Sequence, residues 1–336
     1  METSIIKLAD FAGKAVSTVN SQEQLFQQHK RIFKVFLLFF SFRAKHGAHY
    51  PHFNLDRFED HVFSALMGLV LKLNENLFKP LFIRCLEWAQ STASESGVLL
   101  EMEKLVRSAD PARMLTFFKF VQRVSDSLKG IFVPYFGYLL DIYIAYMSHP
   151  VVIGASSKTS EHKNKKQRAL SSSSQLAKHS HMILVALLNG LERCFLYDNQ
   201  GFLTIDRFNK ILIPIISLLE SRCSDEDYED LSVALVSCVC QLAQALGKDT
   251  LWKSLNYQIL LKTRSRSSRV KLTVLAILKQ LYAVLGEEFL VHLPESAPFL
   301  SELMEDSDPN VEISVQELIH QIDGLLGDGQ SISDYF

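Results

Sequence analysis

The sequence predicts an all-α fold, an α-solenoid of two-helix repeats, and three observations carry that prediction. Leu246-Gly247, Leu285-Gly286 and Leu326-Gly327 recur about forty residues apart, the period of two-helix solenoid units. Each pair closes an apolar ladder in one register. The ladders are Leu231, Val233, Leu235, Cys238, Val239 and Leu242; Val270, Leu272, Val274, Ile277, Leu278 and Leu281; and Val311, Ile313, Val315, Leu318, Ile319 and Ile322. The apolar residues also lack the strict alternation of half-buried strands, so no sheet is expected.

Composition bounds the rest. The 336 residues can bury a large core, and 48% hydrophobic with 21% charged residues describes a folded, water-compatible chain. A formal net charge of −2 offers no global attraction to nucleic acid or an anionic membrane, so any such contact falls to local patches. Met1 opens a mixed polar stretch, not a basic and then apolar leader. The longest apolar stretch, Ile131 to Met147, carries Pro134, Gly137 and Asp141 and is too short to span a bilayer. Cys85, Cys194, Cys223, Cys238 and Cys240 each lie in or beside an apolar helical pattern and read as small buried hydrophobes of a reducing compartment.

In chain order, residues 1–20 are weakly patterned and read as a weakly ordered edge. Residues 21–148 form a helical first half. It begins with one helix from about Gln22 to Lys45, with Phe26, Phe33, Phe36 and Phe40 on its apolar face. Asn54 caps a helix to about Leu73, Asn74 to Gln90 gives another, and Ser91 to Gly97 reads as a loop. Asp110-Pro111 starts a helix to about 128, followed by one from 130 to 147. Residues 149–179 are rich in Ser and Lys and read as a flexible insertion, since they hold too few apolar anchors to offset ordering entropy. A helix resumes at about Ser180, a turn falls at Asp198 to Gly201, and the repeats fill 180–328 before a tail at 329–336.

The first helix of each repeat aligns as well. Pro214, Asn256 and Pro298 occupy one register, each with leucine five positions on: Leu219, Leu261 and Leu303. Proline inside a helix removes a hydrogen bond and bends the axis. Its recurrence suits HEAT-type units, in which one helix bends around the other. The glycines after the ladders fit helix closure in the left-handed conformation.

Catalytic signatures are missing: there is no phosphate loop, nucleotide-binding glycine fingerprint, Gly-x-Ser-x-Gly elbow or His-Glu-x-x-His. His46, His49 and His52 are spaced by three, yet Gly47 and Pro51 favour a loop, and no metal or cofactor is expected. Cys238 and Cys240 point in different directions on a helix, unlike a redox pair. Two basic clusters remain. Lys163, Lys165, Lys166 and Arg168, in the insertion, suit an import signal, an RNA-phosphate contact or a solubilising loop. Lys262, Arg264, Arg266, Arg269 and Lys271 crowd the turn of the middle repeat, with Asp225 to Asp230 before and Glu305, Asp306 and Asp308 after. Equivalent turns of a solenoid stack along one edge, so this is either a self-neutralising acidic–basic–acidic edge or a docking patch for RNA or an acidic partner.

Three stretches carry a family resemblance: Asn76 to Trp88 (NLFKPLFIRCLEW), Cys194 to Leu203 (CFLYDNQGFL) and Leu285 to Asp306 (LGEEFLVHLPESAPFLSELMED). From about residue 20 to the end, the chain resembles the C-terminal region of the very large HEAT-repeat proteins of the small-subunit processome, the HEAT repeat-containing protein one family. That resemblance implies a nucleolar scaffold without enzymatic activity, in the nucleus and nucleolus. It would work in the small nucleolar ribonucleoprotein that processes the small-subunit ribosomal RNA precursor, and support ribosomal RNA transcription. The implied partners are small-subunit processome proteins and, directly or indirectly, precursor ribosomal RNA or small nucleolar RNA, with no membrane and no small-molecule substrate. The chain is far shorter than those proteins, so nothing done by their long N-terminal solenoid carries over. The alternative is a general HEAT-type adaptor for protein cargo, without RNA contact.

Overall fold

The structure is a computed structural model that describes residues 22–50, 52–91, 109–149, 166–247, 249–327 and 331–335, with Lys7, Asp10, Phe11, Gly13, Lys14, Val106 and Val152 besides. Helices account for almost all of it, and no strand occurs among the described residues. The chain divides into two compact units, Met1–Val152 with Ser156–Gly190, and Ile153–Ala155 with Leu191–Phe336.

The first unit contains α1 (Gln22–Phe40), α2 (Phe42–His46), α3 (Leu55–Val70), α4 (Glu75–Gln90), α5 (Pro111–Leu128) and α6 (Leu140–Ser148). It also contains most of α7 (Lys166–Leu196). Caps fall where the sequence places them. Asn54 accepts from the Arg57 N–H at 2.9 Å, Asn74 from Leu77 at 3.1 Å and Asp110 from Ala112 at 2.9 Å. The core is aromatic. Phe40 lies 5.4 Å from Phe63, 5.3 Å from Phe120 and 5.8 Å from Trp88, mostly edge to face. Such pairs add roughly 0.5–1.5 kcal/mol beyond area burial.

Three expectations in this unit need correction. The first helix breaks at Ser41, whose hydroxyl bonds back to the Leu37 carbonyl at 2.9 Å and receives the Trp88 indole N–H at 3.1 Å. The single helix at 130–147 is instead two 3-10 segments, Lys129–Ile131 and Val133–Tyr138, followed by α6. Lys129 has φ 49°, and Pro134 lacks the N–H that an α-helix would need there. Finally, α7 begins at Lys166, about four turns before Ser180. The run Lys166-Gln-Arg-Ala-Leu170 consists of good helix formers, which override the serines that follow. Thus 166–179 is helical, while 150–151 and 153–165 of the expected insertion lie outside the described residues, as does 92–97 of the expected loop. Against α7, α6 packs so closely at Gly190 that a Cβ there would meet the Tyr143 hydroxyl at 2.7 Å.

The second unit holds the repeats: α8 (Ile205–Ser217), α9 (Asp225–Leu246), α10 (Asp249–Leu260), α11 (Ser268–Leu285), α12 (Leu293–Met304) and α13 (Pro309–Leu326). In one layer α8 packs on α10 and α10 on α12; in the other α9 packs on α11 and α11 on α13. This is the stacking of HEAT-like two-helix repeats. Gly247, Gly286 and Gly327 follow the three ladder helices at φ of 52°, 58° and 80°, but only Gly247 takes the expected left-handed helical conformation, at ψ 27°; Gly286 and Gly327 have ψ of −137° and −176°. Pro214 and Pro298 lie inside α8 and α12. In the equivalent place on α10, Asn256 is fully buried and donates to the Ser296 hydroxyl at 3.1 Å.

The ladders are buried except at the second rung and at Ile319, which is half-buried. Val233 and Ile313 are 67% and 55% exposed, and Leu272 is half-buried, so the second rung of every repeat faces outward. Leu261 is exposed too, because the chain tightens into a 3-10 turn there and Leu260 takes the buried place. The expected tail is partly anchored: Ile332 is fully buried, and its N–H donates to Asp323 at 2.8 Å. Among the described residues α9 alone is long and apolar enough to cross a membrane, and half of that stretch is buried inside the protein, as in a core helix.

Candidate functional site

The turn between α10 and α11 carries the basic cluster, and its cations are largely spoken for. Lys262 reaches back to Glu220 at 2.7 Å, and Arg264 reaches forward to Glu302 through two hydrogen bonds of 3.1 and 2.8 Å. Arg269 binds Asp225 at 3.0 Å and the Ser221 and Cys223 carbonyls at 2.9 and 3.1 Å, with its guanidinium over the Tyr228 ring. Lys271 pairs with Asp306. Arg266 is exposed and holds no ion pair among the described residues.

These pairs bridge repeats. Lys262 and Glu220 are 42 positions apart and Arg264 and Glu302 are 38, so each tie spans one repeat length. The acidic–basic–acidic alternation therefore does link neighbouring turns. Of the acids singled out from sequence, Asp225 and Asp306 take part; Glu220 and Glu302 were missed. Their signal was available, as each sits about one repeat from its cation.

Titration reflects the same contacts. The Arg264 guanidinium holds the Glu302 carboxyl below its ordinary range and is itself raised by that carboxylate. For Asp306, burial pushes the carboxyl up, but the Lys271 ammonium and the Asp308 N–H outweigh it and hold it low. Asp308 is held low by the Ser268 hydroxyl and the Asn310 N–H.

The second cluster is divided by position. Lys163 and Lys165 lie outside the described residues; Lys166 and Arg168 stand in the first turn of α7. No group of three or more His, Cys, Asp or Glu among the described residues is placed to hold a metal ion. His46 and His49 stand with ring centroids 6.5 Å apart. Four cysteines are buried and Cys223 is half-buried; burial pushes the Cys240 thiol up to about 12, which leaves it protonated and unreactive at neutral pH.

Sequence reasoning also missed a polar centre in the first unit. Arg43 lies buried with its Nε 2.7 Å from Glu59 Oε1 and its Nη2 2.7 Å from Oε2. Thr116 donates to Glu59 at 2.7 Å, and Lys119 lies 2.5 Å from Asp56, which Arg43 also meets. Burial pushes the Asp56 carboxyl up, yet Lys119 and Arg43 hold it below the usual range. Every charge here is compensated, which makes this centre a clamp between α2, α3 and α5.

Comparison with known proteins places the chain. Residues 24–203, more than half of it, match the model of the BP28CT (NUC211) domain family, and the chain belongs to that family. It is 31% identical to the HEAT repeat-containing protein 1 homolog of Dictyostelium discoideum, an alignment covering 99% of this chain and 18% of that protein. It is likewise 31% identical to human HEAT repeat-containing protein 1, over 95% of this chain and 14% of that protein. With the U3 small nucleolar RNA-associated protein 10 of Schizosaccharomyces pombe it shares 28% identity over 99% of its own length and 18% of that protein's. The chain thus spans less than a fifth of these three relatives.

Proposed function

We propose that this member of the BP28CT family is a non-catalytic scaffold of ribosome biogenesis. It would act in the nucleolus, within the small-subunit processome, to support processing of precursor ribosomal RNA and ribosomal RNA transcription. The observation that carries the reading is the alignment of nearly the whole chain with a relative named for association with U3 small nucleolar RNA. A stack of helices with ion-paired turns suits the role, since extended surface and local charge hold partners without chemistry. The first-turn cations of α7, Lys166 and Arg168, together with Lys163 and Lys165, are the chain's import or phosphate contacts under this proposal.

Direct RNA contact on the repeat edge falls to Arg266, because Lys262, Arg264, Arg269 and Lys271 are engaged by carboxylates. Each neutralised phosphate on a single strand contributes about 0.7 to the slope of log affinity against log salt. Arg266→Gln should lower the slope by that amount if the contact is direct; an unchanged slope removes RNA from this edge. The larger reading is tested by purifying the tagged chain from cells and identifying bound protein and RNA. Nucleolar enrichment with precursor ribosomal RNA is the expected result. Recovery only with soluble cytoplasmic proteins would sink it and leave a general protein adaptor.

A further inference from the structure

The outward second rungs lead to an open groove of about 560 Å³ along α9 and α11. Val233, Val236, Cys240, Leu272, Ala276 and Val284 supply its apolar lining, and serines, glutamines and a threonine supply the rest, with no charged residue. In a chain with 21% charged residues, an uncharged groove at the surface is unusual. The repeat register creates it: Val233 and Leu272 are equivalent rungs, and Ile313 continues the same row onto α13. An exposed apolar row repeated in successive units is a surface suited to a partner.

The charge beside it says what kind of partner. Glu226 and Glu229 stand seven and four positions before Val233, on the same stripe of α9, and Asp230 stands three before. All three are exposed and hold no ion pair among the described residues. The cations of α11 are consumed elsewhere: Arg269 by Asp225 and two carbonyls, Lys271 by Asp306, Lys279 by Glu317 at 2.5 Å and Ser314 at 3.1 Å. The uncompensated charge on this stripe of α9 is therefore acidic and favours a cation, while the exposed Arg222 and Arg266 stand on the turns that precede α9 and α11.

We infer that this groove is a docking site for a protein segment in which an aliphatic run adjoins a block of lysine or arginine residues. The aliphatic side chains lie against Val233, Leu272 and Ala276, and the cations reach Glu226, Glu229 and Asp230. This assignment goes beyond the ribosome-biogenesis reading and does not depend on it, since it rests on the surface of the repeats alone.

The test uses the full chain and three labelled peptides of about eighteen residues: an aliphatic run with a Lys/Arg block, the same run with an Asp/Glu block, and the Lys/Arg block with its aliphatics changed to serine. Fluorescence anisotropy should show binding of the first, weakening with salt, and at least about tenfold weaker binding of the other two. Val233→Asp should cost about tenfold without lowering the melting temperature, since the side chain is already 67% exposed. Glu226→Lys with Glu229→Lys should reverse the preference between the first two peptides. Equal binding of the basic and acidic peptides, or binding untouched by Val233→Asp, overturns the assignment. So does a self-associated chain that Val233→Asp returns to monomer, because the occupant would then be a second copy. Displacement of the first peptide by a uridine oligonucleotide overturns it as well.

Discussion

Arg43 and Arg264 make the same fork against a glutamate in opposite settings. The Arg43–Glu59 pair is buried, its side chains 7% and 5% exposed, and Thr116 completes the glutamate's bonding. The Arg264–Glu302 pair stands in water at 58% and 53%. In the first unit the polar contact is inside an aromatic core and joins helices of one bundle. In the second the core is aliphatic and periodic, and the polar contacts run along an edge from one repeat to the next. Equal geometry thus has unequal energetic weight, and several measurements can break or sharpen the contrast.

The largest effect belongs to Arg43→Ala, which strands the Glu59 carboxylate and should cost roughly 3–5 kcal/mol in denaturant unfolding; replacing both residues with methionine should restore much of it. If Arg43→Ala costs no more than Arg264→Ala, the contrast fails. Leu278→Ala, in the middle ladder, should cost about 2–5 kcal/mol through lost burial and the cavity left behind. Smaller again is Gly286→Ala. Nothing lies within 4 Å of an added Cβ, so the cost is purely conformational at φ 58° and ψ −137°, about 1–3 kcal/mol. Gly247→Asn, at φ 52° and ψ 27°, should be nearly neutral by thermal melting, since asparagine tolerates the left-handed region.

Acid should erode both units with one sign. Asp56 and Asp306 have folded-state pKa values below their unfolded ones, so their contribution is present above about pH 4 and disappears as pH falls through the folded value. The stability gap between wild type and Asp306→Asn should therefore be present at pH 7 and close by about pH 3. Arg264→Ala, at a pair that stands in water, should lower stability only slightly, and that loss should fade with added salt.

Repetition explains which parts of this fold were legible. The ladders, the closing glycines and the charge alternation each occur once per repeat, so a single sequence carries its own internal comparison. Ser41 and the early start of α7 have no counterpart to be compared with, and Pro134 sits in a 3-10 segment where Pro80, in a similar sequence, sits inside α4; local propensity at these places was overruled by a hydroxyl, a run of strong helix formers or a missing N–H. Arg43 and Glu59 lie sixteen positions apart without periodic company, and nothing in one dimension announces that they meet. The outward turn of the second rung was not legible for a related reason: hydrophobicity at a repeated position signals a common environment, not necessarily an interior one.

The ties of the second unit have a consequence for the timing of synthesis. Lys262 to Glu220, Asn256 to Ser296 and Lys279 to Glu317 each span between 38 and 42 positions, so no repeat waits for a distant stretch of chain. At roughly 5–20 residues per second, a translating ribosome delivers a repeat within seconds, long compared with the formation of a helix. Each newly made pair of helices can settle on a neighbour already in place. The charges that lace the edge then act as a sequence of latches, closed in the order in which they leave the exit tunnel.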